Sequence, residues 1–186
     1  MHTLHFVLYG ADPQREFDVT CGRDVSEIFG EVIQELAVFA RWSDGLSPGG
    51  EPGWPAGILS WRMDPAAFRR AIAKCRRWQH EEVGEAIVCL AKELDIPLPN
   101  PEKPSHWPAI GHELFRRIAE HRDRMPVAGH PMWYALKVMK LVYGEYEPES
   151  HFYDLIHRHT CIPCDGELEV LSREYDLYLV PVDLHC

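Results

Sequence analysis

The chain has 186 residues, of which 46% are hydrophobic, and it carries a formal net charge of −10. A chain of this length and composition can bury a core of its own, which excludes a disordered protein. The acidity argues against a general nucleic-acid-binding protein, which needs a dominant basic surface, and every apolar run is too short to cross a bilayer.

The N-terminal part predicts a β-hairpin followed by a helix. Residues 3–10 and 16–21 are rich in β-forming side chains and are separated by a turn-like segment. Asp24 and Glu27 have the spacing of a helix-capping box. Apolar side chains then recur at helical intervals, so we expect a helix over 25–41.

A loop and a second helix follow. Residues 43–57 contain five glycines and three prolines, and predict a long loop. The segment 58–63 predicts a short strand. Asp64 and Pro65 are typical of a helix start, and an apolar stripe continues to about residue 94. Gly84 weakens this helix, so the pattern also allows a break near residue 80.

The remaining elements are predicted from alternating proline-rich and apolar segments. The five prolines of 95–109 indicate an extended connector. Helices are expected at about 109–123 and 132–144. Near the C-terminus, 167–172 and 175–184 resemble strands, and we expect them to form a second hairpin.

These elements predict one α+β domain over 1–186, with an antiparallel sheet from the two terminal hairpins packed on about four helices. Its acidity is uneven. Residues 1–63 hold nine acidic and four basic side chains, and residues 148–186 hold eight and two. The helical middle, 64–147, holds twelve and thirteen and is nearly neutral.

The strongest local chemical signal is "HRHTCIPCDG", residues 157–166. Two cysteines three positions apart on a tight turn can share one zinc ion, and Cys161 and Cys164 have this spacing. His157 and His159 are the nearest further ligands. If the segment is extended, all four side chains cannot reach one ion without a bend. We therefore expect the remaining ligand to come from elsewhere in the chain, with the following candidates: His151, His185 and Cys186.

Three interpretations of this stretch remain. The first is a partly buried turn whose thiols stay reduced, and the second is a structural zinc site that resembles half of a zinc ribbon. The third is a redox pair, in which the first cysteine would open a helix. The strand-like sequence after Cys164 argues against the redox interpretation.

The acidic ends and two aromatic loops indicate protein binding. Trp54 and Trp107 lie in glycine- and proline-rich loops, where an aromatic side chain either anchors the loop or contacts a partner. The acidic residues that we expect to attract a basic partner are Glu167, Glu169 and Asp176.

Two functional hypotheses follow from these features. The first is a non-enzymatic, acidic inhibitory protein of the immunity, antitoxin or anti-defence type, acting on a basic partner that handles nucleic acid. The second is a small zinc-dependent enzyme or zinc-stabilised domain that uses the cluster between His157 and Cys164. The first is favoured because the chain lacks a P-loop, a dinucleotide-binding glycine motif, GxSxG and HExxH. Without a signal-peptide pattern, the chain is expected to be cytoplasmic or secreted without a classical signal, and its six scattered cysteines favour the reducing cytoplasm.

Overall fold

The structure is a computed structural model, and it describes residues 2–36, 42–45, 57–93, 95, 97, 112, 113, 116, 120 and 151–185. The chain forms two compact units. The first unit comprises 1–76 and 148–186, and the second comprises 77–147. The sheet described below lies in the first unit. The organisation of the whole chain as a single domain stays a prediction.

The described strands form one mixed sheet. They are β1 (His2–Ala11), β2 (Trp42–Gly45), β3 (Leu59–Ser60), β4 (Phe152–Asp154) and β5 (Asp176–His185). Their order is β2-β5-β1-β4, and β3 also pairs with β5. Strands β1 and β5 are antiparallel from the pair His2 and His185 to the pair Ala11 and Asp176. Because β4 pairs with β1 in parallel, the predicted purely antiparallel sheet is wrong.

The two central strands are buried on both faces. Phe6, Val7 and Leu8 in β1, like Leu179 and Val180 in β5, have no exposed surface. Consecutive buried side chains point to opposite faces of the sheet, so both faces must be covered. This explains why the two strands are continuous apolar runs rather than alternating ones.

Helix α1 (Gly22–Leu36) follows β1 without a second strand. The predicted strand at 16–21 is absent there, because carboxylates compete for its backbone groups: Asp18 accepts from the Thr20 amide and Asp24 from the Asp18 amide, both at 2.9 Å. Because α1 begins at Gly22, Asp24 lies inside its first turn and does not cap it, which corrects the capping prediction.

Helix α2 (Pro65–Glu93) begins as the sequence predicts. Asp64 Oδ1 accepts the Ala67 amide at 2.8 Å, which confirms this residue as the N-cap. The helix continues through Gly84, so the alternative of a break near residue 80 is wrong. Cys75 lies in the first half of this helix, and its side chain has no exposed surface. This burial raises the pKa of the Cys75 thiol.

The largest difference from prediction is near the C-terminus. Residues 165–174 form a helix, α3 (Asp165–Glu174), and only β5 after it is extended. The expected C-terminal hairpin is therefore wrong, although the general α+β prediction is confirmed. Leu168 and Leu171 are buried and Val170 is 54% exposed, which is helical rather than alternating burial.

The prediction of about four helices is tested only in part. Three helices are present among the described residues. The expected helices at 109–123 and 132–144 lie outside them, apart from four helical positions in the first: His112, Glu113, Arg116 and Glu120. In the part of the chain that is described, none of the helices has the length and apolar character needed to span a membrane.

Candidate metal centre

A tight turn after β4 places the first site residues. Asp154 and His159 pair as an antiparallel bridge, with amide-to-carbonyl distances of 2.8 Å and 3.2 Å. Asp154 Oδ1 accepts the amides of Ile156 at 2.8 Å and His157 at 3.1 Å. Arg158 reverses the chain with φ of 59°, in the left-handed region. This turn supplies the bend that an extended segment lacks.

The turn brings one carboxylate and two imidazoles together. Asp154 Oδ2 lies 2.8 Å from His157 Nδ1. The rings of His157 and His159 are nearly parallel, with their centroids 5.5 Å apart and an interplanar angle of 10°. Each of the three side chains offers one ligand atom, and these atoms all lie within 4.8 Å of one another. Among the described residues, this is the cluster with metal-ligand chemistry.

The three side chains of the cluster differ in burial: Asp154 is buried, His159 is half-buried and His157 is exposed. Asp154 is only 1% exposed, so its carboxylate depends on the turn amides and on His157 for its polar contacts. His159 Nδ1 is buried and has no hydrogen-bond partner among the described residues. A buried polar atom without a partner costs roughly 1–3 kcal/mol. The site therefore contains a nitrogen that lacks a ligand or a proton acceptor.

The two predicted thiols lie beside the cluster, at the start of α3. Cys164 is the N-cap residue, and its amide donates to Glu167 Oε2 at 2.6 Å. This bond, with a second one from the Cys164 thiol, lowers the pKa of Glu167. Burial, together with the nearby Asp154 and Glu167 carboxylates, raises the pKa of the Cys161 thiol.

The helical form of 165–174 also bears on the redox interpretation. A strand after Cys164 was the argument against it, and that argument no longer holds. The arrangement still differs from the redox pattern considered for the sequence, because the second cysteine rather than the first caps the helix. The raised pKa of Cys161 reduces its thiolate fraction as well.

The cluster and both thiols line one cavity of about 620 Å³. Its other walls are largely apolar and come from the cysteine turn and α3: Ile162, Pro163, Val170 and Leu171. Arg76 holds the cysteine turn in place by donating to the Pro163 carbonyl oxygen at 2.8 Å. The cavity is therefore lined both by three potential metal ligands and by apolar side chains.

The structure separates the predicted metal ligands into two groups. His157 and His159 share the cluster with Asp154, whereas Cys161 and Cys164 line the cavity but are not part of that cluster. His151, a candidate for the further ligand, is not part of the cluster. Its ring centroid lies 6.0 Å from that of His5. Cys186 lies outside the described residues, as does the side chain of His185.

The predicted partner-binding residues are also dispersed. Glu167 and Glu169 are exposed on α3, and Arg69 pairs with Glu169 at 3.1 Å. Asp176 begins β5 and accepts the Tyr178 hydroxyl at 2.8 Å. Trp54 and Trp107 lie outside the described residues, so their role stays a prediction.

Sequence reasoning missed Asp154. The metal prediction began at His157, because a lone aspartate in an apolar strand is not a recognised ligand pattern. The available signal was the spacing D-x-x-H-x-H over 154–159, which becomes informative only once the turn is known. No protein-family model, curated protein sequence or solved structure matches the chain, so the chemistry of the site rests on its own side chains.

Proposed function

We propose that this protein binds a divalent transition metal, with zinc as the physiological ion, through Asp154, His157 and His159. The observation that carries the proposal is the buried His159 Nδ1, which has no hydrogen-bond partner among the described residues. A metal ion would satisfy this nitrogen. It would also take the place of the hydrogen bond between His157 Nδ1 and Asp154 Oδ2.

The donor set suits zinc. Zinc takes imidazole nitrogen and carboxylate oxygen at about 2.0–2.2 Å, so tetrahedral ligand atoms lie roughly 3.4 Å apart. Ligand atoms already within 4.8 Å of one another need only small side-chain movements to reach this spacing. Asp154 can ligate through Oδ2 while Oδ1 stays bound to the turn amides, which orients the carboxylate.

Three protein ligands leave one tetrahedral position, and the adjoining cavity gives it room for water or a small ligand. This arrangement resembles open zinc sites more than closed structural ones. It supports the alternative that the sequence left in second place, a zinc-dependent domain. The reduced thiols around the site suit a cytoplasmic setting, which we include in the proposal.

Metal content tests the proposal directly. We expect the purified protein to hold about one zinc per chain, and His157→Ala or His159→Ala to reduce this at least tenfold, because each removes one of three ligands. His112→Ala is the matched control, since His112 is an exposed histidine outside the cluster. Elemental analysis after dialysis gives the readout. Metal-free wild-type protein that also fails to bind added zinc would refute the proposal.

A double variant distinguishes the triad from the ligand set predicted from sequence. Replacing both Cys161 and Cys164 with serine should leave zinc stoichiometry near one, because neither thiol belongs to the cluster. Loss of zinc in this variant, with retention in Asp154→Asn, would instead assign the ion to the thiols and histidines.

A second candidate is supported by α3: the protein binds a basic protein partner. The four acidic side chains of this helix, Asp165, Glu167, Glu169 and Glu174, are all exposed, and Val170 among them is a large exposed apolar residue. A high density of exposed acidic side chains on a short helix, together with an exposed apolar side chain, speeds encounter with a basic surface. This is the inhibitor hypothesis, in which the partner handles nucleic acid.

Charge reversal tests the second candidate. The variant Asp165→Lys/Glu174→Lys avoids the capping contact of Glu167 and the ion pair of Glu169. With a basic partner captured from the host, we expect its association rate to fall about tenfold at low salt and less at high salt. Glu81→Lys/Glu85→Lys gives the same charge change on exposed residues of α2. Equal rates for the two variants would exclude the acidic side chains of α3 as the element that attracts the partner.

A further inference from the structure

The charges around the cavity restrict what the proposed metal centre can bind. The lining contains two carboxylates, those of Asp154 and Glu167. Among the described residues that line the cavity there is no lysine or arginine. The guanidinium of Arg76 donates to the Pro163 carbonyl oxygen, and Arg76 is not among the residues that line the cavity. The carboxylates of Asp154 and Glu167 together balance the +2 charge of a bound zinc ion, so the cavity offers a multiply charged anion no net positive charge.

The walls of the cavity favour an apolar group. Ile162, Pro163 and Leu171 line it, and Val170 lines it with 54% of its surface exposed. Apolar surface removed from water contributes roughly 25 cal/mol per Å², so an aryl or alkyl group in this cavity gains affinity from burial alone. Small-molecule sites commonly combine such walls with a few polar groups that fix orientation.

From these two observations we infer the ligand class of the site: an uncharged molecule with one metal-binding donor and an aromatic or branched aliphatic group. The donor occupies the open position on the ion held by Asp154, His157 and His159, and the apolar group lies against Ile162 and Val170. This inference rests on the proposed metal function. It excludes phosphate esters and other multiply charged anions as the preferred ligands.

Two probes that share one aryl group test the inference. We expect 4-phenylimidazole, a neutral donor, to bind the zinc-loaded protein at least tenfold more tightly than phenylphosphonate, an anion. Calorimetry measures both affinities, and cobalt-substituted protein reports ligation through its visible spectrum. Zinc content is measured on the same samples, so a protein without metal would refute the proposed function. A metal-loaded protein that prefers phenylphosphonate, or binds neither probe, would overturn the ligand class alone.

Variants then identify which residues set the preference. Glu167→Gln keeps a side chain suited to the capping box and should raise phenylphosphonate affinity about threefold or more, with little change for 4-phenylimidazole. Val170→Ala should weaken 4-phenylimidazole about threefold. Val88→Ala is its control, since Val88 is 50% exposed and does not line this cavity. Equal effects of the two valine variants would remove Val170 from the site.

Discussion

Asp154→Ala is expected to lower the free energy of unfolding by about 1–3 kcal/mol, even with a chelator present, because it removes the buried carboxylate that accepts from the turn. Three groups lose their partner: the amides of Ile156 and His157, at 2.8 Å and 3.1 Å, and His157 Nδ1 at 2.8 Å. With the turn no longer held, the two histidines should also lose zinc. Urea unfolding with and without the chelator separates the two losses.

Asp154→Asn provides the matched comparison. Its amide oxygen can still accept the two turn amides, so the metal-free protein should lose less stability than the alanine variant does. It nevertheless removes the anionic ligand, so the affinity for zinc should fall at least tenfold. Asp12→Ala controls for an ordinary aspartate turn, since Asp12 accepts the Gln14 amide at 2.9 Å on the exposed surface. If Asp154→Ala is no more damaging than Asp12→Ala, the buried carboxylate does not hold the turn.

The second large effect is expected at Gly10, where the site turn lies against the sheet. A Cβ atom there would stand 2.9 Å from Ile156 Cδ1 and 3.0 Å from Tyr175 Cγ. Gly10→Ala should therefore destabilise the protein by about 1–3 kcal/mol through overpacking. It should also weaken zinc binding, because Ile156 belongs to the turn that carries His157.

Gly30→Ala in α1 should have the opposite sign. An added Cβ at Gly30 meets nothing within 4 Å, and alanine in a helix interior is favoured over glycine by about 0.5–1 kcal/mol. Adding Ile156→Ala to Gly10→Ala removes the closest contact, so the pair should show favourable coupling in a double-mutant cycle. A Gly10→Ala protein as stable as the wild type would show that the turn can shift without cost.

Local patterns predicted β1, α1, β3, β5 and the start of α2, but not β2, β4 or α3. Strand β2 overlaps the start of the loop predicted at 43–57, which corrects that boundary. The apolar runs of β1 and β5 identified two strands, and Asp64 with Pro65 identified the start of α2. Helix α3 was missed because apolar residues at 168 and 170 imitate strand alternation. In the structure Leu168 and Leu171, three positions apart, are both buried, which fits a helix. Which residues are buried depends on tertiary packing, and sequence periodicity alone does not show it.

The site was predictable only in part for a similar reason. His157 and His159 were identified by their proximity in sequence, as were Cys161 and Cys164. Their grouping depends on the left-handed conformation of Arg158. Sequence patterns predict that conformation at glycine or asparagine, not at arginine. Asp154 becomes a candidate ligand only when that turn brings its carboxylate to His157.

The pairing of β1 with β5 has a consequence for how the protein is made. Strand β5 is the central partner of β1, β2 and β3, yet it is synthesised after all the other described strands. Until β5 leaves the ribosome, the apolar β1 has no neighbour on that side. Such long-range pairing slows folding and leaves an unpaired, aggregation-prone strand edge exposed during synthesis. Newly made chains should therefore depend on holdase chaperones more than a helical protein of equal length does.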